Sequence, residues 1–298
     1  MLLRQGSLLP RQQAMLDVTA RAWDSHAPTY ARLFAPLTGF IARSMVSLAG
    51  PRLPPGARVL DIACGSGAVT LPLLERALAE QDAGRPGGLV TASDISPAMV
   101  ELTRQAATRL GAENLVRCET QNGEALSYAD GSFDAAFSCF GIFLFSDRRA
   151  GWREAARVLR PGGTFVTSVW QSAEHNPMLR AQIAPLLDAL PPHLLPKEKG
   201  WLEIAEPDAL VAEVCAAAPV TDARAFTFRA SFAIPDWSVL WQATLDNPIA
   251  GGLLRRCNER ELAAVQDRWN HRFRELAGGD ACPLVLDSTC SVLLATRR

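Results

Sequence analysis

The stretch Val59-Leu60-Asp61-Ile62-Ala63-Cys64-Gly65-Ser66-Gly67-Ala68-Val69-Thr70 decides the fold. A short apolar run from Val59 to Ala63 enters two glycines one residue apart, and a helical pattern from Ala68 to Gln81 leaves them. A buried strand, a sharp turn and a helix are what such a run predicts. Gly65 and Gly67 lack a Cβ, so the backbone there can turn tightly and approach a ligand closely. In open α/β sheets this position, at the carboxyl end of the first strand, is where ligands bind.

The pattern repeats outward from that turn. Apolar runs at Leu89–Ser93, Leu115–Thr120, Phe133–Ser138 and Thr164–Trp170 alternate with helical patterns at Pro97–Leu110 and Arg149–Leu159, the last ended by Arg160-Pro161-Gly162-Gly163. Near-continuous apolar strands separated by helices predict an α/β fold, a parallel sheet covered on both faces. Before it, Leu33, Phe34, Leu37, Phe40, Ile41 and Met45 recur at helical steps, and Pro51 to Gly56 breaks that pattern. After Gln171 come helical patterns at Met178–Leu190 and Pro207–Ala217 around a proline-rich segment, 191–200, that reads as a lid or exposed loop. Phe226, Phe228, Ala230 and Phe232 alternate like a strand with one buried face, and Leu284–Thr296 reads as the last strand. The expected division is a helical arm over 1–50 that covers the site, a ligand-binding core over 51–170, and a C-terminal part over 171–298 with cap helices and the last two strands.

Two ligand classes compete for the glycine turn. A dinucleotide fingerprint places a third glycine where this chain has Thr70, and a phosphate-binding P-loop needs Gly-Lys-Ser/Thr, which is absent. Asp61 before the turn would repel a pyrophosphate and suits a ligand with positive charge and hydroxyls. Asp94, at the end of the second apolar run, is placed to accept hydrogen bonds from both hydroxyls of a ribose. That role serves any adenosine cofactor; helix capping in competition with Ser96 is the other reading of Asp94.

Five motifs in order give a resemblance. Asp61 to Gly67, Asp94, Gln121-Asn122-Gly123-Glu124-Ala125-Leu126, Gly131-Ser132-Phe133-Asp134 and Arg157-Val158-Leu159-Arg160-Pro161-Gly162-Gly163 resemble the class I S-adenosylmethionine-dependent methyltransferases. The similarity is to the small-molecule branch that includes ubiquinone- and menaquinone-biosynthesis enzymes, and it covers residues 20–170 best. The resemblance implies a Rossmann-like, seven-stranded, mostly parallel sheet with its last strand antiparallel, and S-adenosyl-L-methionine as cofactor. It implies that Ala63, Gly65, Ser66 and Gly67 wrap the cofactor's amino-acid part together with Asp61. Asp94, with Ile95 and Met99 beside it, would hold the ribose; Asn122 and Gly123 would meet adenine; Ser138 and Cys139 would line the methionine moiety. Two departures from the family stand out: Ala63 replaces a glycine, which a negative φ would accommodate, and Asn122 replaces an aspartate. Trp23-Asp24-Ser25-His26-Ala27-Pro28-Thr29-Tyr30 is similar to the family's entry helix, which places Tyr30 over the cofactor; simple packing of Trp23 and Tyr30 is the competing reading.

Methyl transfer to a hydroxyl or an acidic carbon needs a base, whereas an amine or a thiolate does not. His26, in the arm, and His175, just after the fifth run, are the candidate catalytic bases. Phe140, Ile142, Phe143 and Phe145, with Trp170, Trp201, Trp237 and Trp241, are candidate walls of a hydrophobic or aromatic acceptor site. Three functions stay open: a methyltransferase acting on a small molecule at O, N, C or S; a non-catalytic binder of S-adenosyl ligands; and an NAD-dependent reductase.

Composition narrows the partners. The chain has 298 residues, 48% of them hydrophobic, enough for a sizeable core. Thirty Lys and Arg against 31 Asp and Glu leave a net charge of -1, so no nucleic-acid partner is expected. The longest uncharged apolar run, Ala135 to Phe145, falls far short of the about 20 residues a spanning helix needs. Seven cysteines without a C-x-x-C pair fit reduced thiols in a cytoplasmic chain and no metal site. Arsenite methylation would need converging thiolates, and only Cys139 falls on the expected ligand edge. Arg4 and Arg11 without an acid before Asp17 leave organelle targeting as a minor alternative. The oligomeric state is left open.

Overall fold

Strand β1 (Arg58–Ile62) forms because Val59, Leu60 and Ile62 present apolar side chains to both faces of a sheet, and all three are buried. In the computed structural model, which describes residues 10–195, 203–234, 239–277 and 284–298, β1 pairs in parallel with β2 (Leu89–Asp94) on one side and with β4 (Phe133–Cys139) on the other. Strand β3 (Val116–Thr120) joins β2 in parallel, and β5 (Leu159–Trp170) joins β4. Strands β6 (Val220–Ile234) and β7 (Leu284–Arg297) complete seven strands in the order β3-β2-β1-β4-β5-β7-β6. β7 runs antiparallel to both of its neighbours. The chain leaves β1 toward β2 and returns across it to β4, so the strand order reverses between β1 and β4, and a crevice opens there above the strand tips.

The core helices are α2 (Ala35–Ala49), α3 (Thr70–Asp82), α4 (Pro97–Arg109), α5 (Arg148–Val158) and α7 (Pro207–Ala217). α3 adjoins both α2 and α4, and α5 adjoins α7, giving two groups of helices over the sheet. Leu60, Phe137 and Phe165 from the strands pack with Ile41 and Met45 of α2 and Trp152 of α5, all at or below 1% exposure. Burying one such side chain contributes about 1.5–3 kcal/mol.

The expected arm over 1–50 divides in two. Helix α1 (Pro10–Leu33) ends at Phe34, and Pro36 starts α2 at its first turn, where a missing N–H costs nothing. α2 lies on the sheet, while α1 reaches α4 and the cap.

Beyond β5 the β6–β7 ribbon outruns the sheet. β5 pairs with β7 only from Cys290 to Thr296, whereas β6 follows β7 back to Leu284. Helices α6 (Pro177–Ala189), α8 (Val239–Asp246), α9 (Ala250–Leu254) and α10 (Glu259–Ala277) build a second core on that extension. Its centre is Trp269, Phe273 and Val265 of α10 with Leu186, Trp241, Ile234 and Leu284. Phe226 points outward at 37% exposure, because β6 is the edge strand and its apolar alternation is buried only in part. In the 191–200 segment Leu194 is buried in the second core, whereas Pro192, His193 and Leu195 are exposed, and residues 196–200 lie outside the described residues. Trp201 and Trp237 lie outside the described residues. Gly251 is a close-packed helical residue: a Cβ there would clash with the Leu245 carbonyl oxygen.

Among the described residues no single helix is long and apolar enough to cross a membrane.

Candidate functional site

Two cavities share a wall at the crevice. The first, of about 140 Å³, lies over the tips of β1, β2 and β4. Gly65, at φ +55°, and Gly67, at φ +96°, make the turn after β1. The turn is clamped: Cys64 N–H donates to Ser93 O (2.9 Å), Gly67 N–H to Cys64 O (2.9 Å), and Thr103 Oγ1 to Gly65 O (2.7 Å). Asp94 ends β2 and accepts N–H bonds from Gly65 (2.9 Å) and Ser96 (2.9 Å). It does not cap α4; Ser96 does, accepting from Met99 N–H at 3.1 Å.

Ala63, Gly65, Asp94, Ile95, Met99, Asn122, Gly123, Cys139 and Tyr30 all line this cavity. Asp61, Ser66 and Gly67 do not. Asp61 is turned inward at 1% exposure, where its Oδ2 accepts from the Thr70 hydroxyl at 2.7 Å and its Oδ1 has no partner. Thr70, at the place of the missing third glycine, is thus the residue that anchors the acid of the turn. Gly67 is hemmed in by Thr103 and Leu71 and serves the turn itself. Ala63 adopts φ +56°, contrary to the negative φ expected of an alanine there. The Asn122 Oδ1 accepts from Glu124 N–H (3.0 Å), which closes the turn that displays Gly123; a Cβ at residue 123 would strike the Phe145 ring at 2.5 Å. Burial raises the pKa of Asp94 to about 6 and that of Asp61 to about 7, although hydrogen bonds to each pull the other way. The cavity wall carries Asp94 and Glu124 and no lysine or arginine among the described residues. It is built for a cationic, hydroxyl-bearing ligand and against a pyrophosphate.

The second cavity, of about 200 Å³, lies under α1 and against α6, α8 and α9. Trp23, Tyr30, Phe140 and Leu144 line both cavities. Phe140 holds φ +56°, a strained setting for a bulky residue, and its ring stacks on Trp170 at 3.7 Å and 10°. Phe143 joins that wall. No lining side chain among the described residues carries an ordinary charge at neutral pH. His26 is fully buried, lines the cavity, and has no hydrogen-bond partner at either ring nitrogen. Burial lowers its pKa to about 4, against the opposing pull of Asp246.

Several expected residues fall elsewhere. His175 stands half exposed in a shallow polar groove, 3.2 Å from Glu206 and on neither cavity. It follows β5 in sequence, but the loop carries it outward. Trp241 packs in the second core with its ring 5.5 Å from Trp269 and does not reach the cavity. Ile142 is core, and Phe145 lines the first cavity rather than the second. Sequence reasoning missed the α6 face, Met178, Leu179, Gln182 and Ile183, although its helical spacing was visible. The described residues contain no cluster of metal-ligating side chains.

This strand order, with a glycine turn facing an acid at the next strand tip, defines an α/β domain for a nucleoside ligand. Residues 60–167 match the family model described as a methyltransferase domain. Over those residues, which take in most of β1 through β5, the chain is similar to methyltransferase domains. It is 35% identical over 173 residues to an uncharacterized protein of Mycobacterium tuberculosis, covering 58% of this chain and 57% of that protein. It is 38% identical over 124 residues to a demethylmenaquinone methyltransferase of Thermus thermophilus, covering 42% and 51%. The fold is that of a putative methyltransferase from Bacillus halodurans, with a TM-score of 0.54 at 13% identity over 86% of this chain and 98% of that one. The chain spans about half the length of the curated relatives it matches.

Proposed function

We propose that the protein transfers a methyl group from S-adenosylmethionine to a small, mainly apolar acceptor. The observation that carries this reading is the pair of cavities with one common wall, one acidic and free of cationic side chains, the other uncharged and aromatic. The residues of the first fit the cofactor: the two oxygens of the buried Asp94 carboxylate each accept one backbone N–H and keep lone pairs for ribose hydroxyls, and a described wall without cations tolerates a sulfonium and an ammonium.

When bound, S-adenosylmethionine supplies an electrophilic methyl group. Asp94 would hold the ribose, Gly65 and Ala63 would admit the amino-acid part close to the backbone, and Gly123 with Phe145 would receive the adenine face. Tyr30 and Phe140 stand where the two ligands meet. Tyr30 donates to Thr38 Oγ1 (3.4 Å), and burial holds its phenol well above the usual range, so it acts as a neutral wall. Much of the rate in such a displacement comes from aligning the nucleophile with the methyl group about 3–3.5 Å away, and a cavity closed by α1 excludes water while it does so.

Titration calorimetry with S-adenosylmethionine and S-adenosylhomocysteine tests the cofactor, with micromolar or tighter binding expected. No heat and no thermal shift at millimolar ligand would sink the reading. A labelled-methyl assay then separates turnover from mere binding.

A further inference from the structure

We infer that the acceptor group is a neutral, acidic hydroxyl, phenolic or enolic, on a planar apolar molecule, and that His26 is the base that takes its proton. The inference deepens the methyltransferase reading and rests on it. It comes from one anomaly and its setting. Among the described residues that line the second cavity, His26 is the only one whose side-chain polar atoms are fully buried and unpartnered. Leaving a buried polar nitrogen unsatisfied costs about 1–3 kcal/mol, and the histidine packs edge-on among Trp23, Tyr30 and Phe34 with centroids 5.8–6.1 Å apart. A phenylalanine would fill that aromatic nest without the penalty, so packing does not account for an imidazole there. A ligand that donates to it does.

The chemistry of the cavity selects the donor. The described lining residues offer no carboxylate to receive an ammonium and no cation to receive a carboxylate or phosphate. The reacting group therefore enters uncharged. A neutral O–H is a weak nucleophile that gains from losing its proton as the new bond forms. The stacked Phe140–Trp170 pair gives the cavity a flat wall that suits a planar ring.

The charged or titratable groups facing His26 are Asp246, from α8, and Tyr30, on its own helix. Asp246 is engaged by Thr29 Oγ1 (3.0 Å) and Gln242 Nε2 (2.8 Å), which leaves its charge near the ring without a bond to it. α2, α6 and the loop after β4 present Thr38, Gln182, Met178 and Phe143, none of which titrates near neutrality. The imidazole is thus neutral and able to accept, and Asp246 favours the imidazolium once it forms. In the transfer the hydroxyl oxygen bonds to the methyl carbon of the sulfonium donor as the carbon–sulfur bond breaks. That bonding pair stays on sulfur, giving a neutral thioether, and the hydroxyl proton passes to a ring nitrogen of His26. The positive charge moves from sulfonium to imidazolium, which later releases its proton to solvent.

The test uses the full chain saturated with S-adenosylhomocysteine, with 2-naphthol and naphthalene as probes. The wild type is expected to bind 2-naphthol at least tenfold tighter than naphthalene, although naphthalene is the more hydrophobic. 2-Naphthol is expected to shift the imidazole ¹⁵N resonances of one histidine. In His26→Phe that preference shrinks below twofold and that shifted signal disappears, while S-adenosylhomocysteine still binds. With labelled S-adenosylmethionine the wild type should form 2-methoxynaphthalene, and His26→Phe should lose at least 100-fold of that rate. Equal binding of the two probes to the wild type, no methylation of bound naphthol, or an unchanged rate in His26→Phe each overturns the inference. Failure of the wild type to bind S-adenosylhomocysteine at all overturns instead the reading beneath it.

Discussion

Ala63 and Gly141 meet across the tips of β1 and β4: a Cβ placed at residue 141 would lie 2.5 Å from the Ala63 Cβ and 2.7 Å from Ser138 Oγ. Ala63 holds φ +56°, so its methyl group points where a glycine would leave space, and Gly141 vacates that space in turn. Gly141→Ala should therefore cost about 1–3 kcal/mol by overpacking and weaken S-adenosylhomocysteine binding, since both residues line the first cavity, the one proposed to hold the cofactor. Ala63→Gly relieves the left-handed strain, worth about 1–2 kcal/mol, and returns part of it as chain entropy. Its melting temperature should equal or exceed the wild type's. Thermal denaturation and calorimetry on both variants check the pair, and a stable, tight-binding Gly141→Ala would refute the contact.

Asp94→Ala should weaken cofactor binding more than folding. A carboxylate that accepts from ribose hydroxyls makes charge-assisted bonds worth about 1.5–3 kcal/mol each, so a loss of tenfold or more in affinity is expected by calorimetry. An unchanged dissociation constant would remove Asp94 from the site.

The two buried acids also set a pH dependence. Asp61 and Asp94 both titrate above their ordinary 3.8, at about 7 and about 6. The folded state therefore holds their protons more tightly than the unfolded state does. That stabilisation is complete below about pH 4 and is lost as pH rises through 6 and then 7, a decline on the order of a few kcal/mol. The ligand-free protein should melt lower at pH 8 than at pH 5, and Asp94→Asn should flatten the part of the decline near pH 6. A melting temperature that rises over this range would contradict the burial of both acids.

The sheet was legible in the sequence because a parallel strand buried on both faces has no polar alternation to blur it. β1, β2 and β4 fell within a residue or so of their predicted ends, and the acid at the tip of β2 lines the first cavity. The orientation of Asp61 was not legible: whether that carboxylate faces the crevice or the helix depends on Thr70 Oγ1 being 2.7 Å away, a tertiary fact. The same holds for Trp170 and Trp241. Both are tryptophans in apolar runs, yet one stacks on Phe140 at the cavity and the other serves the second core. His26 and His175 looked alike as bases until burial separated them.

Helix α1 is fastened at two points, and the fastening is testable. Asp24 Oδ1 accepts from Ser96 Oγ (2.5 Å) and Ala98 N–H (3.0 Å), placing a negative charge at the start of α4, where the helix dipole favours it. Further along, Thr29 holds Asp246 of the cap. Asp24→Ala should destabilise by about 0.5–2 kcal/mol, the usual loss of a capping interaction. It should also raise the cofactor's dissociation constant, because Trp23 and Tyr30 would no longer be held over the cavity. A thermal shift without any change in affinity would show that the fastening is structural only.

Removing residues 1–33 takes this argument to its limit. The cut falls at the break beside Phe34, so α2 remains on the sheet with Ile41 and Met45 buried. Both cavities lose Trp23 and Tyr30, and the second also loses His26. Asp94, Asn122 and Gly123 stay in place, so the truncated protein should keep the sheet's circular-dichroism signature and a weakened but measurable affinity for S-adenosylhomocysteine. Its methyl transfer should vanish, since the acceptor cavity would stand open to water on the side α1 now covers, and alignment supplies much of the rate. Transfer at the full-length rate by the truncated protein would mean that α1 is no part of the site, and the closed acceptor cavity would have to be abandoned.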